Sequence, residues 1–256
     1  MRVKNSDGSP QRTGVQAVER TLDLLEALAD PPSPKGVSEL ASRTHLPQAT
    51  IHRLLGTLAE RGYVRQDPDT RRYGLGGRVL RLAAGAEELL GAWLRPYLSE
   101  LVTVSGETAN LAVLEYGWVV YVAQVPSPHR MRMFTEVGNR VPAHSTAVGK
   151  VLLAHRPRSA VEQLIAKQGL PARTRFTLTD AERFLAELDT VLTRGYAVDS
   201  EEEELGVRCI AVPVYGMAGG ALAMSVSGPV SRLDERRIDT LVPHLRRIAA
   251  AASEGS

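Results

Sequence analysis

Apolar positions near the start of the chain fall at helical spacing. Val15, Val18, Leu22, Leu25 and Leu28 recur every three or four residues and predict one buried helix face, stopped by Pro31-Pro32-Ser33-Pro34. Ser38 is placed to cap a short second helix bearing Leu40 and Ala41. Pro47 suits the first position of a third helix, whose inward stripe is Ile51, Leu54, Leu55 and Leu58 and whose stop is Gly62. Two extended runs follow, 63–66 and 71–75, with Asp67-Pro68-Asp69-Thr70 as the turn between them. Three short helices and a hairpin make a winged helix-turn-helix over residues 14–77.

From 78 to about 98 the helical spacing returns in Leu82, Leu89, Leu90, Trp93 and Leu94, which predicts one or two connecting helices, with a linker helix at 78–95. Beyond it the pattern changes. Residues 110–114 and 118–125 read as strands joined by Glu115-Tyr116-Gly117, and 148–154 and 160–168 as helices. Residues 180–194 form a further helix, with Asp180 and Glu182 in its first turn, Arg194 in its last and Gly195 closing it. Residues 210–214 and 221–226 are strands around a glycine-rich turn at 216–220, and 234–251 is a closing helix. Helices interleaved with hairpins predict an α+β domain on an antiparallel sheet over 96–256.

Hydrophobic residues make up 43% and charged residues 23% of the 256, the values of a globular chain. No apolar run approaches the ~20 residues of a membrane helix, so no membrane partner is expected. Residues 1–13 are polar and patternless, a disordered tail without the apolar stretch of a secretion signal. The lone Cys209 excludes an internal disulfide and a multi-cysteine zinc site, and the six His are scattered. No metal or other cofactor is called for, and a reducing, cytoplasmic location is expected. Charge is uneven: 13 Lys and Arg against 9 Asp and Glu up to Gly85, then 18 against 20. The basic front third points to nucleic acid.

With Ile51, Leu54 and Leu58 inward, Gln48, Ala49, His52 and Arg53 lie on or near the opposite face of the third helix, with Thr50 between them. Recognition helices present such N-terminal residues to the major groove, where Gln pairs with adenine and Arg with guanine. Arg71 and Arg72 stand on the hairpin, where a wing meets phosphates or the minor groove. The plainer alternative is a solvated polar face on a small helical domain. The segments Gly14-Val15-Gln16-Ala17-Val18-Glu19-Arg20, Leu46-Pro47-Gln48-Ala49-Thr50-Ile51-His52-Arg53-Leu54-Leu55 and Arg61-Gly62-Tyr63 resemble the IclR family of bacterial transcriptional regulators. In the second half Pro142-Ala143-His144-Ser145-Thr146-Ala147-Val148-Gly149-Lys150, Gly195-Tyr196-Ala197-Val198-Asp199 followed by Glu201-Glu202, Gly206-Val207-Arg208-Cys209-Ile210-Ala211 and Ser225-Val226-Ser227-Gly228-Pro229 resemble it in the same order. His45, Ala49 and Gly56 depart from the family's usual glycine, serine and arginine, which bears on base preference and affinity rather than on the fold.

The resemblance implies a winged helix-turn-helix joined by a linker helix to a GAF-like α/β effector-binding domain with an antiparallel sheet. It also implies a DNA operator as partner, a homodimer and a dimer of dimers. The residues agree with an effector site. Residues 145–148 open a helix after Pro142, and its free N–H groups near Ala147 and Val148 suit a carboxylate. Asp199, Cys209, Ser225 and Ser227 match family positions that converge on the ligand. Ser225 and Ser227 alternate with Met224 and Val226, so both hydroxyls face one side of a strand, and Met133 and Val141 supply apolar walls. A small carboxylate, aliphatic or aromatic, is the expected effector. Asp199 would meet a hydroxyl or aldehyde end of it, or else be protonated in the complex; the first needs no displaced pKa.

Plainer readings stand beside these. Cys209 is otherwise a small buried hydrophobe, the serines satisfy backbone, Asp199 caps a turn, and the run 201–204 is a solvated loop. Arg130 and Arg132 are surface residues or attract an anion. Two other function classes remain: a thiol enzyme built on Cys209, His144 and Asp199, which lacks any flanking nucleophile motif, and a DNA-binding scaffold whose second domain only oligomerises.

Overall fold

The computed structural model describes residues 15–31, 33–90, 92–132, 136–215 and 221–254, and only the backbone of 86–90, 92 and 221. The expected tail at 1–13, the turn at 216–220, Met133 and the side chains of Leu89 and Leu90 lie outside the described residues. The chain divides into two compact units, Met1–Ala86 and Glu87–Ser256.

The first unit holds α1 (Gln16–Ala29), α2 (Val37–Thr44), α3 (Gln48–Glu60) and the hairpin β1 (Val64–Gln66) and β2 (Tyr73–Leu75). Its core gathers Leu24, Ala27 and Leu28 of α1 with Leu40, Ile51, Leu55, Leu58 and Val64. The expected α1 stripe is therefore only half right. Leu28 is buried, but Val15, Val18 and Leu22 are 67%, 54% and 52% exposed. Two apolar rows overlap on this helix, and the one through Leu24 and Leu28 faces the core. Ser38 does not cap α2; Gly36 holds that position, and Ser38 lies inside the first turn. His45 ends α2 with φ 55°, the left-handed conformation that a His tolerates. The hairpin gains an unforeseen partner, because Lys35 exchanges both main-chain hydrogen bonds with Tyr73 at 2.8 Å.

Between the hairpin and the second unit runs α4 (Arg78–Leu90), in which the division of the chain falls; Leu82 on it is 60% exposed. The second unit continues with a 3₁₀ turn (Ala92–Leu94) and α5 (Arg95–Ser105). Next come β3 (Thr108–Glu115), β4 (Trp118–Val125) and β5 (Arg140–Pro142). Three helices follow, α6 (Ala147–Ala154), α7 (Arg158–Gln168) and α8 (Ala181–Arg194). The chain closes with β6 (Ala197–Ser200), β7 (Val207–Tyr215), β8 (Ala221–Pro229) and α9 (Glu235–Glu254). The strands form one antiparallel sheet in the order β5-β4-β3-β8-β7-β6.

Strand alternation divides the sheet into two unlike faces. Ile210, Val212, Val214, Met224 and Val226 pack with Leu98 and Leu101 of α5 and with Leu241, Leu245 and Ile248 of α9. The opposite face carries Ala197, Cys209, Ala211 and Ala223, and packs against α6 and α8. Small side chains there bring α6 close to the sheet. Every residue of α6 is buried. Gly149 is required by the same closeness, since a Cβ would sit 2.0 Å from the Ala143 carbonyl oxygen.

Candidate functional site

In the first unit Gln48, Ala49, His52 and Arg53 are exposed on α3 and Thr50 is half-buried, while Ile51, Leu55 and Leu58 point inward. Gln48 Nε2 reaches Ser38 Oγ at 3.5 Å, and the Arg53 side chain has no partner among the described residues. At the hairpin turn Asp67 Oδ1 accepts from the Thr70 N–H at 2.7 Å and from its hydroxyl at 2.8 Å. Those bonds hold the Asp67 carboxyl below its ordinary range. Arg71 follows with φ 57° and an exposed side chain. Arg72 differs from Arg71: its Nε donates to the Pro34 carbonyl at 2.8 Å and its Nη2 to Glu39 at 2.8 Å. The two arginines are thus unequal: among the described residues the Arg71 side chain has no partner, and Arg72 is tied to α2 through Glu39. Gly56 faces open space.

In the second unit the register builds a polar row across the face that meets α6. Asp199 pairs with Cys209, Cys209 with Ser227, and Ser227 with Thr108. One step along, Ala211 pairs with Ser225, Ser225 with Asn110, and Asn110 with Gln124. Asp199 and Cys209 are each 4% exposed; Ser225, Ser227 and Asn110 are wholly buried. The hydrogen bonds run in one direction. Gln124 donates to Asn110 Oδ1 (2.9 Å), Asn110 Nδ2 to Ser227 Oγ (3.3 Å), and Ser227 Oγ to Cys209 Sγ (3.0 Å). Ser227 is therefore committed within the protein. Ser225 Oγ has no partner among the described residues. The serines were expected to act alike, and they do not.

Against this face packs α6. Thr146 caps it, its Oγ1 accepting from the Gly149 N–H at 3.2 Å and its carbonyl from Lys150. The N–H groups of Ala147 and Val148, both fully buried, find no acceptor among the described residues. Val141 lines a neighbouring cleft of about 470 Å³, shared with Tyr121, Arg140, Pro142, Arg173 and Glu203. The Arg140 guanidinium lies 5.8 Å from the Trp118 ring centre at its edge.

Asp199 also caps a turn, its Oδ1 accepting the Glu202 N–H at 2.7 Å. Burial nevertheless pushes its carboxyl up to about 7, with Glu202 adding to the rise and Lys150 opposing it. A displaced pKa is thus present before any ligand arrives, contrary to the premise that favoured a hydroxyl-bearing effector end.

The run at 201–204 is not a solvated loop. Glu202 is 7% exposed and accepts from Lys150 Nζ at 2.6 Å, which also donates to the Val198 carbonyl at 2.6 Å. Glu203 accepts from Ser145 Oγ and, at 3.1 Å, from Arg173 Nε. Sequence reasoning missed these residues together with Asn110, Thr108 and Tyr121. One signal was present: Lys150 stands in Val148-Gly149-Lys150-Val151-Leu152-Leu153, and an ammonium buried in such a run requires an acidic partner. Arg130, Met131 and Arg132 are exposed, with Arg132 Nη1 donating to the His129 carbonyl at 3.4 Å.

The candidate thiol triad does not assemble. The His144 ring bonds the Pro171 carbonyl at 2.9 Å, Cys209 receives the Ser227 hydroxyl, and burial pushes the thiol up to about 12. Among the described residues no cluster of metal-ligating side chains occurs, and no helix is long and apolar enough to cross a membrane.

Comparison with known proteins accounts for both units. The profile described as Bacterial transcriptional regulator IclR C-terminal matches residues 89–254, and the IclR helix-turn-helix domain matches residues 17–68. The HTH-type transcriptional regulator KdgR of Escherichia coli K12 is 34% identical over 98% of this chain and 96% of its own. The transcriptional repressor IclR of the same organism is 34% identical over 90% of this chain and 86% of its own. The crystal structure of an IclR transcriptional regulator from Alicyclobacillus acidocaldarius superposes with a TM-score of 0.82 at 28% identity. It covers 95% of this chain and 99% of that one. The chain belongs to the IclR family of bacterial transcriptional regulators.

Proposed function

We propose that the protein is a cytoplasmic, ligand-responsive transcriptional regulator. It binds a pseudo-palindromic operator through a winged helix-turn-helix at 14–77 and a small organic acid in the domain at 96–256, with 78–95 as the linker. Gln48, Ala49, Thr50, His52 and Arg53 read the major groove, and Arg71 with Arg72 contacts the backbone. A dimer, itself paired into a dimer of dimers, places two recognition helices on the half-sites. The acid shifts the population of DNA-competent arrangements.

One observation carries the effector reading. The buried polar row Asp199–Cys209–Ser227, with Ser225 Oγ beside it, lies on the sheet face that packs against α6; among the described residues that hydroxyl and the N–H groups of Ala147 and Val148 find no partner. An orphaned buried hydroxyl costs ~1–3 kcal/mol, and a ligand that meets it recovers that cost. A scaffold that only oligomerises has no use for such a site. Thermal shifts on a panel of 2-keto, 2-hydroxy and hydroxybenzoic acids test the reading. A binder at 100 times its Kd adds ~2.7 kcal/mol of stability by mass action. A melting temperature unmoved by every acid on the panel contradicts it.

A further inference from the structure

The Glu203 carboxylate sits where an anion is expected. Its residue belongs to the acidic run 201–204, yet its side chain is only 13% exposed. One oxygen accepts from Ser145 Oγ, immediately before the cap of α6; the other accepts from Arg173 Nε at 3.1 Å. The positive end of α6 therefore already faces a negative group supplied by the protein itself. The approach is incomplete. Glu203 takes the Ser145 hydroxyl and the guanidinium, but accepts no bond from the N–H groups of Ala147 and Val148. Two separate features accompany this ion pair. The 470 Å³ cleft is lined by both Glu203 and Arg173. Outside the lining of that cleft, the wholly buried Ser225 Oγ has no partner among the described residues, on the sheet face that packs against α6.

We propose that Ser145 and Arg173 form the anion end of the effector site, that the effector's anionic group is a carboxylate, and that Glu203 is an internal carboxylate which fills this position until the effector displaces it. The inference rests on the effector reading above and deepens it. An incoming carboxylate wins because it can take the Arg173 and Ser145 donors and also the N–H groups of Ala147 and Val148 that Glu203 leaves empty. Displaced, Glu203 removes one tie from the turn at 201–204, which Asp199 and Lys150 continue to hold through the neighbouring Glu202. Effector entry is thereby coupled to the segment joining β6 to β7. Competition also sets the apparent affinity, which is reduced by the fraction of molecules in which Glu203 has left the position.

Calorimetric titration of the full chain with pyruvate and with 4-hydroxybenzoate tests this, each paired with its neutral amide. Glu203→Gln keeps the shape and removes the competing charge. It is expected to tighten binding of the acid at least tenfold and to leave the amide unchanged. Arg173→Ala is expected to weaken the acid about tenfold, with partial rescue in Arg173→Lys. Acid affinity unchanged in both Glu203→Gln and Arg173→Ala, while Ser225→Ala weakens it, keeps the effector site and overturns this anion end. Affinity indifferent to Ser225→Ala as well overturns both readings. Failure of both acids to bind Glu203→Gln at millimolar concentration also overturns the proposal, because that variant holds no competing charge at the anion position.

Discussion

Asp199 and Ser225 carry the sharpest consequences at the scale of single residues. The Asp199 carboxyl, ordinarily near 3.8, is pushed up to about 7 by burial. A folded-state pKa raised in this way means the folded protein holds a proton that the unfolded chain has lost. Stability from this group is therefore greatest below about pH 4 and falls as pH rises toward 7, by a few kcal/mol at most at ~1.4 kcal/mol per unit. Asp199→Asn keeps an oxygen for the Glu202 N–H and removes the titration. Urea unfolding across pH 4 to 8 should show the variant gaining on the parent up to about pH 7 and holding a constant margin above it. A margin independent of pH contradicts the assignment. The serines separate in the same experiment. Ser227→Ala breaks the chain from Asn110 to Cys209 and should cost ~1–3 kcal/mol of stability. Ser225→Ala removes an unpartnered hydroxyl and should leave stability level or slightly raised while weakening the effector.

Among elements, the proposed function gives base reading to α3 and backbone contact to the hairpin. Arg53 lies exposed near the start of α3, and Arg53→Ala should relax sequence preference at a cost of ~1–3 kcal/mol if the guanidinium pairs bidentately with a base. Arg71→Ala should weaken all DNA alike and lower the salt slope by about one. Arg72→Ala should do less to the salt slope, because Glu39 and Pro34 already hold that side chain. Equal salt slopes for the two variants would contradict this division. The same elements show what a sequence discloses. Helix α3 was legible because burial on one face imposes the spacing of its stripe, and α8 because its ends carry charge and cap signals, Asp180 and Glu182 at one and Arg194 and Gly195 at the other. Strands β5 and β6, of three and four residues, were not, since so short a run shows no alternation. The α1 stripe misled because two apolar rows compete on one helix and only contact with α2 and α3 selects between them. The polar row was legible through three separated motifs. Its continuation through Asn110 and Gln124 depends on strand register, which appears nowhere in local sequence. Glu202 and Glu203 read as solvated because their partners Lys150 and Ser145 lie 52 and 58 residues away.

For the molecule as a whole, the proposed function makes the effector-binding unit control the DNA-reading unit of the same chain. A coupling of 1–3 kcal/mol, or 5–150-fold in affinity, is the usual scale of such control. The direct measurement is the affinity of the protein for an operator selected from random DNA, with and without a saturating acid, in the parent and in Ser225→Ala. In the parent the acid should move operator affinity by at least fivefold. In Ser225→Ala the acid-free affinity should match the parent's, and the same acid concentration should move it less. Operator affinity unmoved by an acid that demonstrably binds the parent, or moved equally in the variant, would contradict the claim.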